Sequence, residues 1–379
     1  MESPPVTAPV LYQGEVVYFF AFDAAYDTRR TPLRELLGQP VAQFHVDGSK
    51  RNPRQVFFYR PEMVRLPPVE RIGPQGAVVV SRAVKILPVG AISIMIKLPF
   101  HVNNVDDLVS FHDLRFGDGA LLADEARHLA EQVRQELTDH FIRPVPNLKS
   151  EEAYTVFCIH APLLDENGQH ISAENWLAKH RREVASLLTE ERDSATLSEQ
   201  EATESTARYY SYYERDLAVV DWDAALLIDE PRFLDQTLYL LELANLQLVE
   251  LEAYDQILDD AVERSYRDLL GRRWGFWKTS RTQAELREIR IDLARLSDEL
   301  SNITKFFGDW HVARLYHGLA DRFHLNDWHR AIDEKLKTMD DLYQLLRADQ
   351  NNRWMFLMEA SVILLFVIET VLLILQMRR

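Results

Sequence analysis

Two carboxylates sit inside the most apolar stretch of the chain. Residues 354–375 read WMFLMEASVILLFVIETVLLIL, and Glu359 and Glu369 fall within it. Glu359, Val362, Phe366 and Glu369 step by 3, 4 and 3, which places all four on one helix seam. Acidic groups near the centre of a lipid-embedded helix cost about 2.5–3.5 kcal/mol each. The surrounding Leu, Ile, Val and Phe residues outweigh that, so the stretch is expected to insert with its glutamates turned inward. The spacing predicts a self-association seam, or a pore seam in which those carboxylates line an ion or proton pathway.

Three further groups could do chemistry. His317, Asp321 and His324 follow one another at i, i+4 and i+7, a spacing that lets imidazole and carboxylate share a divalent cation. A cationic ring at a helix C-terminus explains His324 as well, and no metal is expected. Asp221 and Asp223 flank Trp222; read as one strand, they share a face as a carboxylate pair. A solvated strand edge accounts for them, and no catalytic residue is expected. Arg272, Arg273, Trp274, Phe276, Trp277 and Lys278 interleave cations and rings between two helical segments, a pattern that suits contact with anionic groups or a partner protein.

Fingerprints of catalysis are missing. The sequence contains no Walker or dinucleotide glycine loop, no G-x-S-x-G, no H-E-x-x-H and no C-x-x-C. Gly73 to Gly76 reads as a turn. The single cysteine, Cys158, lies in the apolar run TVFCI and reads as a buried thiol. No cofactor and no enzymatic activity are expected. The net charge of −16 argues against direct nucleic-acid binding, which rests on Lys and Arg neutralising phosphates.

The elements that would position these groups follow from periodicity. Glu15 to Phe22 (EVVYFFAF) reads as a buried strand. Val41 to Val46 and Gln55 to Arg60 are shorter strand candidates. Ala77 to Leu87 and Ala91 to Leu98 read as a hairpin across Pro88-Val89-Gly90. Val105 to Leu114 and Ala120 to Phe141 are predicted helices, with Pro144 and Pro146 beyond the second. Tyr154 to Ile159 is a strand, Trp176 to Leu188 a helix, and Asp216 to Ile228 a further strand region. Residues 189–207 are acidic and rich in Ser and Thr, as in a linker. The predicted fold class is α+β. An N-terminal mixed α/β-sheet domain covers 1–188 and is completed by a strand at 208–231. A helical stalk at 232–350 follows, then one C-terminal transmembrane helix at 351–379.

Heptads define the stalk. Leu241, Ala244, Leu248, Leu251, Leu258 and Val262 hold a/d spacing between Thr237 and Leu269. Leu286, Ile289, Leu293, Leu296, Leu300, Ile303 and Phe307 alternate 3 and 4 without a break, as in a coiled coil. A final helix is predicted from about Asp327 into the apolar stretch, since no Gly or Pro intervenes.

Residues 286–300 and 342–375 carry a family resemblance. Arg353-Trp354, Leu357-Met358-Glu359 and Ile368-Glu369 resemble the Arg-Leu-Glu and Ile-Glu ending of the Required-for-Meiotic-nuclear-Division (RMD/YagE-type) domain family. That resemblance implies an α/β domain followed by long helices and one C-terminal span, without assigned catalytic residues. The architecture also looks like the CorA type of cation channel, but the Gly-Met-Asn signature is absent. No basic leader precedes the first strand, so the expectation is a tail-anchored, single-pass protein with its N-terminal domain in the cytoplasm, in a bacterial inner membrane. Its expected role is a homo-oligomeric scaffold or tether with an unidentified protein partner; the alternative is an ion or proton pathway.

Overall fold

The structure is a computed structural model. It describes residues 12–29, 31–44, 61–148, 150–164, 169–270, 287, 291 and 310–377, with side chains at these positions apart from 265, 268–270, 312, 342–343, 345–354, 371–375 and 377. The strands are β1 (Tyr12–Asp23), β2 (Ala25–Thr28), β3 (Glu35–Leu36), β4 (Gln39–Pro40), β5 (Ala42–Gln43), β6 (Glu62–Gly73) and β7 (Gly76–Ile86), then β8 (Ala91–Val102), β9 (Phe141–Pro144), β10 (Glu151–His160), β11 (Tyr209–Tyr210), β12 (Leu217–Val220) and β13 (Ala224–Asp229). The helices are α1 (Leu122–Glu136), α2 (Ala173–Lys179), α3 (Arg181–Leu188), α4 (Glu199–Ser205), α5 (Pro231–Leu270), α6 (Trp310–Arg322) and α7 (Leu325–Met377). A 3-10 helix spans Val105–Phe111. The chain divides into two compact units. One comprises Met1–Ala253 with Leu296–Trp328, the other Tyr254–Arg295 with His329–Arg379.

The first unit is built on a large mixed sheet. Among the described residues it has nine strands in the order β11-β12-β13-β10-β1-β8-β7-β6-β5. β1 is central because its sequence is apolar on both faces, as a strand covered on both sides requires. Tyr18, Phe20 and Phe22 point to one face, and Val17, Phe19 and Ala21 to the other; all six are buried. Burying each large side chain is worth about 1.5–3 kcal/mol. β1 pairs antiparallel with β8 and β10, and β10 pairs parallel with β13. On the Tyr18 face lie α1, the 3-10 helix, α2 and α3, through Leu122, Ala126, Val133, Leu108, Trp176 and Leu187. On the opposite face Leu246 and Val249 of α5 pack with Ala21, Leu87 and Ala91.

The hairpin between β7 and β8 turns at Gly90. Its φ is +95°, and a Cβ there would lie 1.9 Å from the Ala25 carbonyl oxygen. That oxygen approaches because Ala24 and Ala25 both donate their amides to the Gly90 carbonyl, at 3.2 and 3.1 Å. Only glycine fits both the backbone conformation and the contact.

Several expectations are corrected. Helices cover both faces of the sheet. β6 holds a strand through Pro67 and Pro68 because its register with β7 shifts between Leu66 and Val69, so the prolines sit at a bulge. Asp216 to Ile228 is two strands folded back antiparallel, not one. The largest correction concerns the C-terminus. Among the described residues no helix is long and apolar enough to cross a membrane. Glu359, Ser361, Glu369 and Thr370 interrupt the apolar side chains of α7 between 355 and 370. The transmembrane helix, the single-pass inner-membrane localisation, the tail-anchored scaffold and the ion pathway all rested on that span, and the structure does not support them.

In the second unit Leu258, Ala261, Ile332, Leu336 and Met339 are buried. Lys335 pairs there with Asp255 at 2.7 Å and Asp259 at 2.6 Å. The second heptad run, 286–307, lies outside the described residues except at 287 and 291, as do Gln55 to Arg60.

Candidate functional site

The sheet's β11-β12-β13 edge meets the first turns of α5 and α6 around a cavity of about 880 Å³. Such a volume falls in the range of small-molecule sites, about 300–1,000 Å³. The segment from β11 to β12 supplies Tyr210, Tyr212, Tyr213, Glu214, Arg215 and Asp216. The end of β13 supplies Asp229, followed by Glu230. Phe233, Gln236 and Thr237 come from α5, and His311 and Leu315 from α6.

The geometry of this site follows from short-range chemistry. Asp216 closes the loop before β12 by accepting the Tyr212 amide on both oxygens at 3.1 Å and the Tyr213 amide at 2.5 Å. That turn stacks Tyr212 edge-on against Tyr213, ring centroids 4.7 Å apart, and leaves both rings more than half exposed. His311 lies 3.9 Å from Asp216 and 5.5 Å from the Tyr212 ring centroid. Arg314 donates to the Ser211 carbonyl at 3.0 Å and lies 5.9 Å from the Tyr210 ring centroid. Tyr210 reaches α6 at Gly318, where a Cβ would meet its hydroxyl oxygen at 1.6 Å.

The charge balance of the lining is negative. Glu214, Asp216, Asp229 and Glu230 face one arginine, Arg215, and His311. Burial pushes the Asp229 carboxyl up to about 6. The Glu230 amide and Arg232 pull it down, but the like charges of Asp216 and Glu230 add to the rise. Asp229 Oδ1 accepts the Glu230 amide at 2.7 Å, at the N-terminus of α5.

A second polar cluster lies between sheet and helix. Lys85 of β7 pairs with Glu242 of α5, with the two side chains 3% and 1% exposed. Ser93 donates to the same carboxylate at 2.7 Å, and the Lys85 ammonium sits 4.0 Å from the Phe44 ring centroid. Nearby on α5, burial and Asp23 push the Glu250 carboxyl well up. Burial also raises Asp23. Glu152 is pushed up to about 8 by burial, then by the charge and hydrogen bond of Glu252. Burial favours the protonated carboxyl at Asp23, Glu152 and Glu250, and none of the three lines the cavity described above.

The residues singled out by sequence fall elsewhere. Glu359, Val362, Phe366 and Glu369 lie on α7, all exposed. Arg272, Arg273, Trp274, Phe276, Trp277 and Lys278 lie outside the described residues. His317 and Asp321 are on α6, but Asp321 faces Arg208 at 3.8 Å and His324 pairs with Asp327 at 3.2 Å. Among the described residues no group of three His, Cys, Asp or Glu could hold a metal. Asp221 is buried and paired with Arg322, and Asp223 lies across the turn between β12 and β13. Cys158 is fully buried and burial pushes its thiol up, away from nucleophilic use. Sequence reasoning passed over the cavity itself. Its signal was the cluster RYYSYYERD at 208–216, too aromatic and too charged for an ordinary turn.

The fold is a mixed α/β domain with a large sheet and a cavity at one edge of that sheet. The chain belongs to the family described as "Uncharacterized protein MJ0711, N-terminal domain", whose profile matches residues 13–234. It is 21% identical over 244 residues to the protein of Methanocaldococcus jannaschii named "Uncharacterized protein MJ0711", covering 64% of this chain and 72% of that protein. No solved structure matches. The resemblance to the Required-for-Meiotic-nuclear-Division family is thereby corrected: the matched domain is N-terminal. The motifs at 353–369 are two dipeptides and a tripeptide, too short to specify a family.

Proposed function

We propose that this protein is a non-catalytic small-molecule-binding protein whose ligand occupies the β11-β12-β13 edge cavity. The observation that carries this reading is the cavity's make-up: exposed aromatic faces beside a few convergent polar groups, in a volume suited to a metabolite. Among the described residues the lining includes no Ser, Cys or Lys to act as a nucleophile. Asp216, 3.9 Å from His311, already accepts backbone amides. Both features favour binding over turnover. The test is thermal unfolding against a panel of cationic, neutral and anionic metabolites. At least one class should raise Tm without being converted, and the shift should vanish in a Tyr212→Ala, Phe233→Ala double variant. A flat panel, or ligand conversion seen by mass spectrometry, would overturn the reading.

A second reading concerns assembly. From Met355 to Ile368 α7 exposes Phe356 (70%), Leu365 (65%) and Phe366 (67%) among many apolar side chains. Contiguous apolar surface of this kind marks interaction sites. We propose that a second copy of the chain covers it, with the Glu359, Val362, Phe366 and Glu369 seam at the contact. Light scattering on full-length protein should give a multiple of the 44.1 kDa chain mass. A Val362→Asp, Phe366→Asp variant should give the monomer; a monomeric parent protein ends this reading.

A further inference from the structure

We propose that the ligand of the edge cavity is an organic ammonium compound, held by Asp229 and Asp216 and packed on the faces of Tyr212, Tyr213 and Phe233. The proposal deepens the binding reading above and rests on it.

Three observations carry it. The first is the lining's charge. Glu230 is engaged by Arg232 at 2.7 Å and Asp216 by two backbone amides; with Arg232 and Arg314 counted beside Arg215, four carboxylates stand against three arginines. An anionic ligand would enter against that field. The N-terminus of α5 offsets only about half an elementary charge.

The second is the aromatic surface. Tyr212, Tyr213 and Phe233 are 58, 61 and 42% exposed. Ring faces attract ammonium and guanidinium groups within about 6 Å. This site already places guanidinium groups on its rings: Arg232 lies 4.6 Å from the Phe233 centroid and Arg314 5.9 Å from Tyr210. The third is Gln236. Its buried Nε2 has no hydrogen-bond partner among the described residues. Its amide can turn either end toward the cavity, so it offers an acceptor to an ammonium N–H or a donor to an oxygen on the ligand.

Burial, and then the like charges of Asp216 and Glu230, push the Asp229 carboxyl up to about 6. A bound cation favours the ionised form, so affinity should rise with pH. The charged groups around Asp229 are Asp216, Glu230 and Arg232, with Glu214, Arg215 and His311 in the same lining. Protonating His311 adds positive charge and acts in the same direction. With a midpoint of about 6, the ionised fraction changes about tenfold between pH 5 and pH 7.

The experiment is calorimetric titration of the full chain with spermidine and with choline in 0.15 M salt, where screening suppresses loose attraction to the acidic surface. Citrate serves as the anionic comparison. The expected result is one-to-one binding of at least one amine, weakened about tenfold in Asp229→Asn and in Tyr212→Ala, and weaker at pH 5 than at pH 7. Asp229→Asn is isosteric and Tyr212 is an exposed side chain, so both variants should fold. Amine binding that neither substitution alters would place the cation elsewhere and overturn the proposal. Citrate binding without amine binding would overturn the cationic assignment and leave the small-molecule reading standing. Failure of both amines and citrate, together with a flat metabolite panel, would remove both.

Discussion

The buried Lys85–Glu242 pair offers a quantitative test of how sheet and helix are joined. Both side chains are almost fully withdrawn from water, and the carboxylate accepts from Lys85 and from Ser93 at 2.7 Å. Removing one member of such a pair strands the other charge, at a cost of about 3–5 kcal/mol. Lys85→Met leaves Glu242 with the Ser93 hydroxyl alone. Glu242→Leu leaves the ammonium 4.0 Å from the Phe44 ring centroid and 5.5 Å from that of Tyr239, contacts worth about 2 kcal/mol when desolvated. Lys85→Met should therefore be the more damaging single change. The double variant Lys85→Met, Glu242→Leu replaces the pair with apolar groups of similar length and should fall within about 2 kcal/mol of the parent. The assay is urea unfolding read by tryptophan fluorescence, analysed as a double-mutant cycle. Additive single effects, with a coupling below about 1 kcal/mol, would show that the two groups do not depend on each other and would refute the argument.

Two other outcomes follow from particular contacts. Gly318→Ala forces the Tyr210 ring out of its seat. It should weaken amine binding several-fold by calorimetry while Tm changes little, since alanine also favours helix by about 1 kcal/mol; unchanged affinity would mean Tyr210 does not shape the cavity. Glu152, raised to about 8 from an ordinary value of 4.5, binds its proton more tightly folded than unfolded. Its contribution to stability is thus present below pH 4.5 and lost as pH rises toward 8. Glu152→Gln should raise Tm at pH 8.5 and leave it nearly unchanged at pH 4.5, and an equal shift at both would refute the linkage.

Local pattern was enough for some elements and not for others. EVVYFFAF lies within β1, and the apolar runs on either side of Pro88-Val89-Gly90 pair as β7 and β8, because strand propensity and a required turn agree there. β6 was illegible because Pro67-Pro68 argues against a strand unless the partner's bulge is known. On α5 the positions Leu241, Ala244, Leu248 and Leu251 scan as a coiled-coil seam, and all are buried. So are Glu242, Asn245, Gln247 and Glu250 between them. Periodicity marks the apolar residues but cannot say that the sheet supplies Lys85 and Ser93 to receive Glu242, or that Tyr316 donates to Gln247 at 2.7 Å.

The cavity was illegible for a different reason: its walls come from segments about 80 to 100 residues apart. Tyr212, Asp216 and Asp229 lie inside the region matched by the family, 13–234. Gln236, Thr237, His311 and Leu315 line the same cavity from outside it. A match ending in the first turns of α5 therefore carries the sheet edge and its carboxylates but not the wall that faces them. Gly318 likewise lies outside the match, yet it is where α6 makes room for Tyr210. The lining of this cavity is thus supplied jointly by the family domain and by helical segments beyond it. A ligand found for one member should transfer to another only where a comparable aromatic and carboxylate set meets a helix that leaves the same space.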